Sequence, residues 1–313
     1  MVEGYSHATG EGGGGPSMGE PMTTTAPSPQ TSRPYRRPWP TLLSWAIVML
    51  VGLMILALII VKIFQVTPKV GSVPYYKAAP DIAQMASVVP PATFTAVSAD
   101  PIPSQFRLFS ISGPALTATT SSGRRVPKVL VVMSENCTGC AAERWALLAA
   151  LGRFGTFTNL GYTTSSATVA PPSLPSFSFR EVHYHSRYLV LRAVELQGSF
   201  REGNGRYPVT GHLTRAEQRI LVAHDQYSPS PVVAQAPGIA RVPVLPFVDL
   251  GGRMAVVGSQ VAPSMFLGAT RMAIASGLSD PTAPTTVAII SAANEIVRSL
   301  CHLTGGQPAT VCR

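Results

Sequence analysis

Residues 126–140 read VPKVLVVMSENCTGC. The run from Val126 to Met133 is apolar and β-branched, bounded by Arg124-Arg125 before it and Ser134-Glu135-Asn136 after it, which is the pattern of a buried strand. From Ala141 to Phe154 the apolar residues recur at helical spacing. Cys137-Thr138-Gly139-Cys140 therefore sits where a strand hands over to a helix, the context in which a CxxC pair reads as a redox motif. A sulfur at a helix N-terminus faces unpaired backbone N–H groups and the positive end of the helix dipole, so its thiolate is favoured and attacks disulfides at neutral pH. Cys137 is the expected attacking thiolate. Cys140, one turn further in, is the expected resolving thiol of the mixed disulfide.

Two other chemistries are open to this pair. A tetrahedral zinc site needs two more ligands, for which His183 with His185, or Cys301 with His302, are the candidates; neither repeats a CxxC spacing. An inert structural pair is the other alternative. Cys301 and Cys312 read as a structural disulfide whose loop closure restrains the unfolded chain by on the order of 3 kcal/mol, with a second, electron-passing pair as the sharper alternative. His183 and His185 lie one strand repeat apart and share a face, where they could bind a metal or sit exposed at an edge. No metal and no cofactor is assigned. Hydrolase, P-loop and dinucleotide-binding motifs are not found in the chain.

Beyond this stretch the chain is 46% hydrophobic and only 12% charged. Much of the apolar excess lies in residues 41–61, TLLSWAIVMLVGLMILALIIV, which carry no charge and are enough to cross a bilayer as a helix. With 40 residues ahead of it and no small-residue cleavage pattern after it, the run reads as a retained single-pass anchor rather than a signal peptide. Arg33, Arg36 and Arg37 cluster before it, and Lys62, Lys69 and Lys77 spread after it. The tighter cluster leans toward a cytoplasmic N-terminus, and four cysteines readable as two pairs favour an extracytoplasmic C-terminal domain. The net charge is +9, but the basic residues are scattered without a nucleic-acid-binding pattern, so no nucleic acid is assigned as a partner.

The expected organisation is a disordered, Gly/Ser/Thr/Pro-rich tail over residues 1–40, a transmembrane helix over 41–62, a Pro-rich stalk over 63–105 with a short helix near Asp81 to Ser87, and an α/β domain over 106–313. Within that domain, 156–235 reads as a polar insertion with alternating runs at Ser176–Val182 and Tyr188–Leu196 and a helix at 214–224. Short strands around Gly251-Gly252 and helical patterns at Pro263–Ser276 and Thr285–Leu303 close the chain.

Strand, CxxC, helix, then RVPVLPFVDLGGR at 241–253, a second strand and a final helix: this order resembles the thioredoxin superfamily. The resemblance implies that a proline beside the active-site pair has a cis peptide bond, with the preceding backbone pairing with substrate. By position these are Pro243 and Val242. The sequence departs from that pattern at Val131, where such enzymes often carry a buried acid six residues before the first cysteine; Glu135 or a water is the substitute considered. Over about residues 100 to 313, the runs CTGCAAERWALLAALGRFGTFTNLGYTTSS, FSF at 177–179 and CHLTGGQPATVC are similar to an uncharacterised family of membrane-anchored, thioredoxin-like prokaryotic proteins, a domain of unknown function.

The expected function is a membrane-anchored, extracytoplasmic thiol-disulfide oxidoreductase. Its partners would be exported protein thiols and disulfides and an unidentified recycling partner. The alternative is a redox-inactive thioredoxin-like scaffold in which the insertion docks a partner. Exposure of the Cys137 sulfur discriminates the two.

Overall fold

The computed structural model describes residues 39–66, 74–97, 107–120, 122–224 and 244–312, with the side chains of the first helix from 44 to 60. The chain divides into two units, residues 1–66 and 67–313. The expected tail falls almost wholly outside the described residues.

In the first unit the described residues form helix α1, Trp39–Val66. Apart from Ser44 its described side chains are apolar, and they are exposed, among them Trp45, Leu50, Leu53 and Ile59. Among the described residues no helix is long and apolar enough to cross a membrane; the expected span, 41–62, extends past the described side chains at both ends.

The second unit is mixed α/β. Its central strand, β4 (Arg125–Met133), is the β-branched run, and Val129 to Met133 are at most 1% exposed. Burial on both faces is why the run lacks polar alternation. Along one edge β9 (Val190–Glu195) pairs parallel to it, Lys128 opposite Val190 through Met133 opposite Glu195. Along the other, β10 (Phe247–Leu250) pairs antiparallel, Phe247 opposite Val132. The hairpin partner β11 (Met254–Val257) follows β10 across Gly251 and Gly252, whose φ values of 66° and 69° suit glycine. Short strands β2 (Phe109–Ser110) and β3 (Thr117–Thr119) pair with β11 and with the start of β4.

Helix α4 (Thr138–Gly152) is buried at every residue from Cys140 to Leu151, including the charged Glu143 and Arg144. It packs against α7 (Pro284–Leu303) and against α2 (Pro80–Ser87). The contact with α2 is close: a Cβ on Gly152 would lie 1.8 Å from the Ser87 carbonyl oxygen.

Part of the sequence read as a stalk thus belongs to the folded unit. α2 and α3 (Pro91–Ala96) bury Ala86, Val89, Phe94 and Val97 in the main core. Each begins on a proline, a residue favoured at the first helical position because its missing N–H has no intrahelical acceptor there. The prolines that suggest an extended segment are helix starters. Ahead of α2, β1 (Tyr76–Lys77) pairs with β6 (Gly161–Thr164), which pairs with β7 (Pro175–Ser178).

The region read as an insertion likewise splits in two. β5 (Thr156–Thr158), β6, β7 and β8 (His183–His185) form small peripheral sheets, whereas β9 is part of the central sheet. α5 (Arg215–His224) follows β9. After β11 come a 3₁₀ turn, Pro263–Phe266, and α6 (Arg271–Gly277).

One buried ion pair ties these parts together. Arg144 of α4 donates from Nε and Nη2 to the two Glu195 carboxylate oxygens of β9 at 2.9 and 2.7 Å, with both side chains at most 1% exposed. Arg144 also donates to the Ser134 carbonyl at 2.9 Å, and the Phe179 amide donates to Glu195 at 3.1 Å. Removing one member of such a pair strands a buried charge, at a cost of about 3–5 kcal/mol.

Candidate functional site

β4 ends at Met133, and the chain turns through Ser134, Glu135 and Asn136 before α4 begins. The turn is pinned to the strand beside it: the Leu196 amide donates to the Met133 carbonyl at 2.8 Å, the Glu135 amide to the Gln197 carbonyl at 2.8 Å, and Asn136 Nδ2 to Gln197 Oε1 at 3.1 Å. Cys137 then caps the helix, its extended backbone (φ −80°, ψ 126°) leaving Sγ to accept from the Cys140 amide at 3.0 Å. A sulfur in this place is held by a helix N–H, the arrangement that favours a thiolate.

Cys137 and Cys140 form a disulfide with Cα atoms 5.1 Å apart. Cys137 is half-buried, whereas Cys140 is fully buried. Approach from solvent is therefore to Cys137, with Cys140 beneath it.

The other wall of the site is the chain entering β10. Cys137 Sγ lies 3.6 Å from the Leu245 carbonyl oxygen, and the Leu245-Pro246 peptide bond is cis. A Cβ on Gly139 would meet Pro246 Cδ and Ser259 Cβ at 3.4 Å, so Pro246 seats against the first turn of α4. Val242 and Pro243, the expected docking residues, lie outside the described residues. The proline brought to the disulfide is Pro246. Its sequence signal is its place immediately before β10, since strand prolines collect at strand starts.

Two buried carboxyls flank the pair in sequence, and a third lies further along β10, opposite Leu130; burial raises the proton affinity of each. Glu135, two residues before Cys137, is raised first by desolvation and then by the nearby Glu195, although the Ser178 hydroxyl donates to it. Glu143, one turn beyond Cys140, is raised by desolvation to about 7 even though the Gln260 amide donates to its Oε2 at 2.7 Å. Asp249 of β10 is raised by desolvation to about 6, against the Gly252 amide and Lys128. Glu143 has one oxygen, Oε1, that is buried without a hydrogen-bond partner. Glu143 sits in a helical run of ordinary composition, so its burial carries no signal in the sequence.

The remaining candidates lie elsewhere. Cys301 and Cys312 are disulfide-bonded, Cα atoms 5.4 Å apart, and close the loop that follows α7. His183 and His185 are exposed on β8, paired with β5. Among the described residues no group of three or more His, Cys, Asp or Glu side chains is placed to hold a metal ion.

Fold and site together define a mixed α/β protein whose central strand delivers a disulfide to the N-terminus of a buried helix. The chain belongs to the family described as a domain of unknown function (DUF929), whose model matches residues 117–302, more than half of the chain. The match takes in β3 through all but the last residue of α7, including Cys137, Cys140 and Cys301. No curated protein and no solved structure matches the chain.

The buried acids dictate a pH dependence of stability. The folded state holds the Glu143 proton up to about pH 7, whereas the unfolded chain releases it near the ordinary value of 4.5. Between those values the folded state binds more protons, so rising pH costs stability, on the order of 3 kcal/mol for Glu143. Urea unfolding of the oxidised protein should show a lower midpoint at about pH 8 than at about pH 5, and Glu143→Gln should remove part of that decline. An unchanged decline in the variant would contradict the assignment.

Proposed function

We propose that this protein is a membrane-anchored thiol-disulfide oxidoreductase of thioredoxin-like fold, acting on exported proteins outside the cytoplasm. The observation that carries the reading is the asymmetry of the pair: Cys137 half-buried at the helix cap with the Cys140 amide on its sulfur, and Cys140 fully buried below. An inert scaffold has no need of a reachable first sulfur. The strand order β9-β4-β10-β11, with β9 parallel to β4 and the others antiparallel, supports the fold assignment, as do the helix after β4 and the closing helix α7.

In this reading the Cys137 thiolate attacks a substrate sulfur and forms a mixed disulfide. Cys140 then attacks Cys137, restoring the intramolecular disulfide and releasing the substrate thiol. The backbone at Leu245, whose carbonyl is beside Cys137 Sγ, lines the approach and is the edge along which an extended substrate segment docks. A recycling partner of the same dithiol chemistry restores the starting state.

Anchoring rests on the uncharged run at 41–61. Protease treatment of intact cells should cleave within residues 106–313; a domain untouched until lysis would overturn the extracytoplasmic placement.

For the chemistry, Cys140→Ser in the full chain should accumulate mixed disulfides with exported proteins, visible as reducible higher-mass species, while Cys137→Ser should form none. If neither variant traps a partner and the wild-type pair fails to exchange with a small disulfide, the scaffold reading replaces the enzyme.

A further inference from the structure

The end of the sheet remote from the disulfide carries a different chemistry. Cys137 lies past the last residue of β4, whereas Arg124 and Arg125 stand at its start. The steps from Arg125 to Met133, at about 3.3 Å each, put roughly 26 Å between the two ends. β9 runs parallel to β4, and Arg187 precedes its first residue, Val190, at the arginine end.

A cavity of about 520 Å³ opens there, walled by Arg124, Arg125 and Arg187 with Tyr188, Thr304 and Gln307. Among the described residues no carboxylate lines it, and the ion pairs of the described residues use other cations. Arg125 Nε donates to Thr117 Oγ1 at 2.7 Å, and Arg124 Nη2 donates to the Arg187 carbonyl. A guanidinium has five N–H donors, so both retain donors for a ligand. Three like charges around one space repel one another, and an anion among them removes that repulsion. The walls are built in place. Ser186 holds the Arg187 turn, its hydroxyl donating to the Phe154 carbonyl at 2.6 Å and accepting from the Tyr188 amide at 3.0 Å. Thr304 and Gln307 lie within the loop that the Cys301–Cys312 disulfide closes.

A second cavity, about 560 Å³, adjoins the first and shares Pro127 and Leu303 with it. Ala115, Leu116 and Met254 add to its chiefly apolar lining, with Arg253 and His302 among its polar members and no carboxylate among the described residues. Both volumes fall in the range of about 300–1,000 Å³ usual for ligand sites.

We propose that the paired cavities bind an anionic phospholipid, with its phosphate among Arg124, Arg125 and Arg187 and an acyl chain along the apolar cavity. Guanidinium forks match phosphate oxygens bidentately. The apolar space beside them selects an amphiphile over a free anion, which would leave that space without an occupant. An acidic peptide is disfavoured, because its backbone N–H and C=O groups would go unpaired against Leu116, Met254 and Leu303. Lipid held at this end of the sheet keeps the Cys137 end away from the headgroups. The disulfide takes no part in binding, so the proposal stands or falls separately from the oxidoreductase reading.

The test measures hydrogen exchange over residues 186–189 and 304–311 in the oxidised full chain, in neutral maltoside micelles doped with phosphatidylglycerol or phosphatidylcholine. Phosphatidylglycerol at about ten times its Kd should slow exchange in both segments about 10-fold, and phosphatidylcholine should leave it unchanged. Arg124→Gln combined with Arg187→Gln should abolish the protection. Arg187→Gln alone, at an exposed side chain, should weaken it and carries the test if the double variant does not fold. Ala115→Trp, also at an exposed position, fills the apolar cavity while sparing the arginines and should abolish protection too. Equal protection by inorganic phosphate, or full protection by phosphatidylglycerol in Ala115→Trp, would mark an anion site without an acyl chain and overturn the proposal. Protection by an oligoglutamate peptide but not by phosphatidylglycerol would overturn it in favour of an acidic protein partner. Exchange that phosphatidylglycerol leaves unchanged in the wild type would overturn it outright.

Discussion

A guanidinium and a carboxylate, both shut away from water, fix the site: Arg144 of α4 lies fork-to-fork on Glu195 at the end of β9. Neither ion is tolerable there alone. Because Arg144 also holds the Ser134 carbonyl, the pair joins the helix, the parallel strand and the turn that precedes Cys137. The N-terminus of α4 can then point only to the end of the sheet where β10 begins. There Pro246 packs on Gly139 and the Leu245 carbonyl stands beside the Cys137 sulfur.

The same core treats its other acids differently. Glu195 has a cation, whereas Glu143 has only dipoles and the repulsion of Glu295. A buried carboxyl without a cation beside it holds its proton more tightly. One helix thus presents two adjacent residues, Glu143 and Arg144, in opposite settings: the arginine orders the backbone, and the glutamate is left as a buried titrating group against Ser259 and Gln260.

Much of this was legible in residue pattern. The β-branched run ending at Met133, the CxxC after it, the helical spacing to Phe154 and the closing amphipathic helix all correspond to β4, α4 and α7. The short helix near Asp81 was legible too. Its burial was not, because composition reports prolines but not whether they start helices that dock; Ala86, Val89 and Phe94 stand among prolines and small polar residues that read as a linker until α4 and α7 cover them. β9 looked like part of an insertion because its parallel partner lies some 60 residues earlier, a pairing that periodicity within a window does not see. Two prolines in one strand-like run left a choice that only tertiary contact makes, and the structure brings Pro246 to the sulfur. Glu143 and Arg144 read as ordinary helix formers because nothing local reveals that all sides of α4 are covered.

The reduction potential of the Cys137–Cys140 disulfide, measured by equilibrating the full chain with glutathione buffers and resolving the two disulfides by alkylation and mass analysis, bears most directly on this account. A helix-capped sulfur that exchanges with exported proteins should titrate between about −120 and −270 mV, the range of working dithiol enzymes, while Cys301–Cys312 remains oxidised throughout. A Cys137–Cys140 bond that resists reduction below about −300 mV would behave as a structural disulfide and would contradict it.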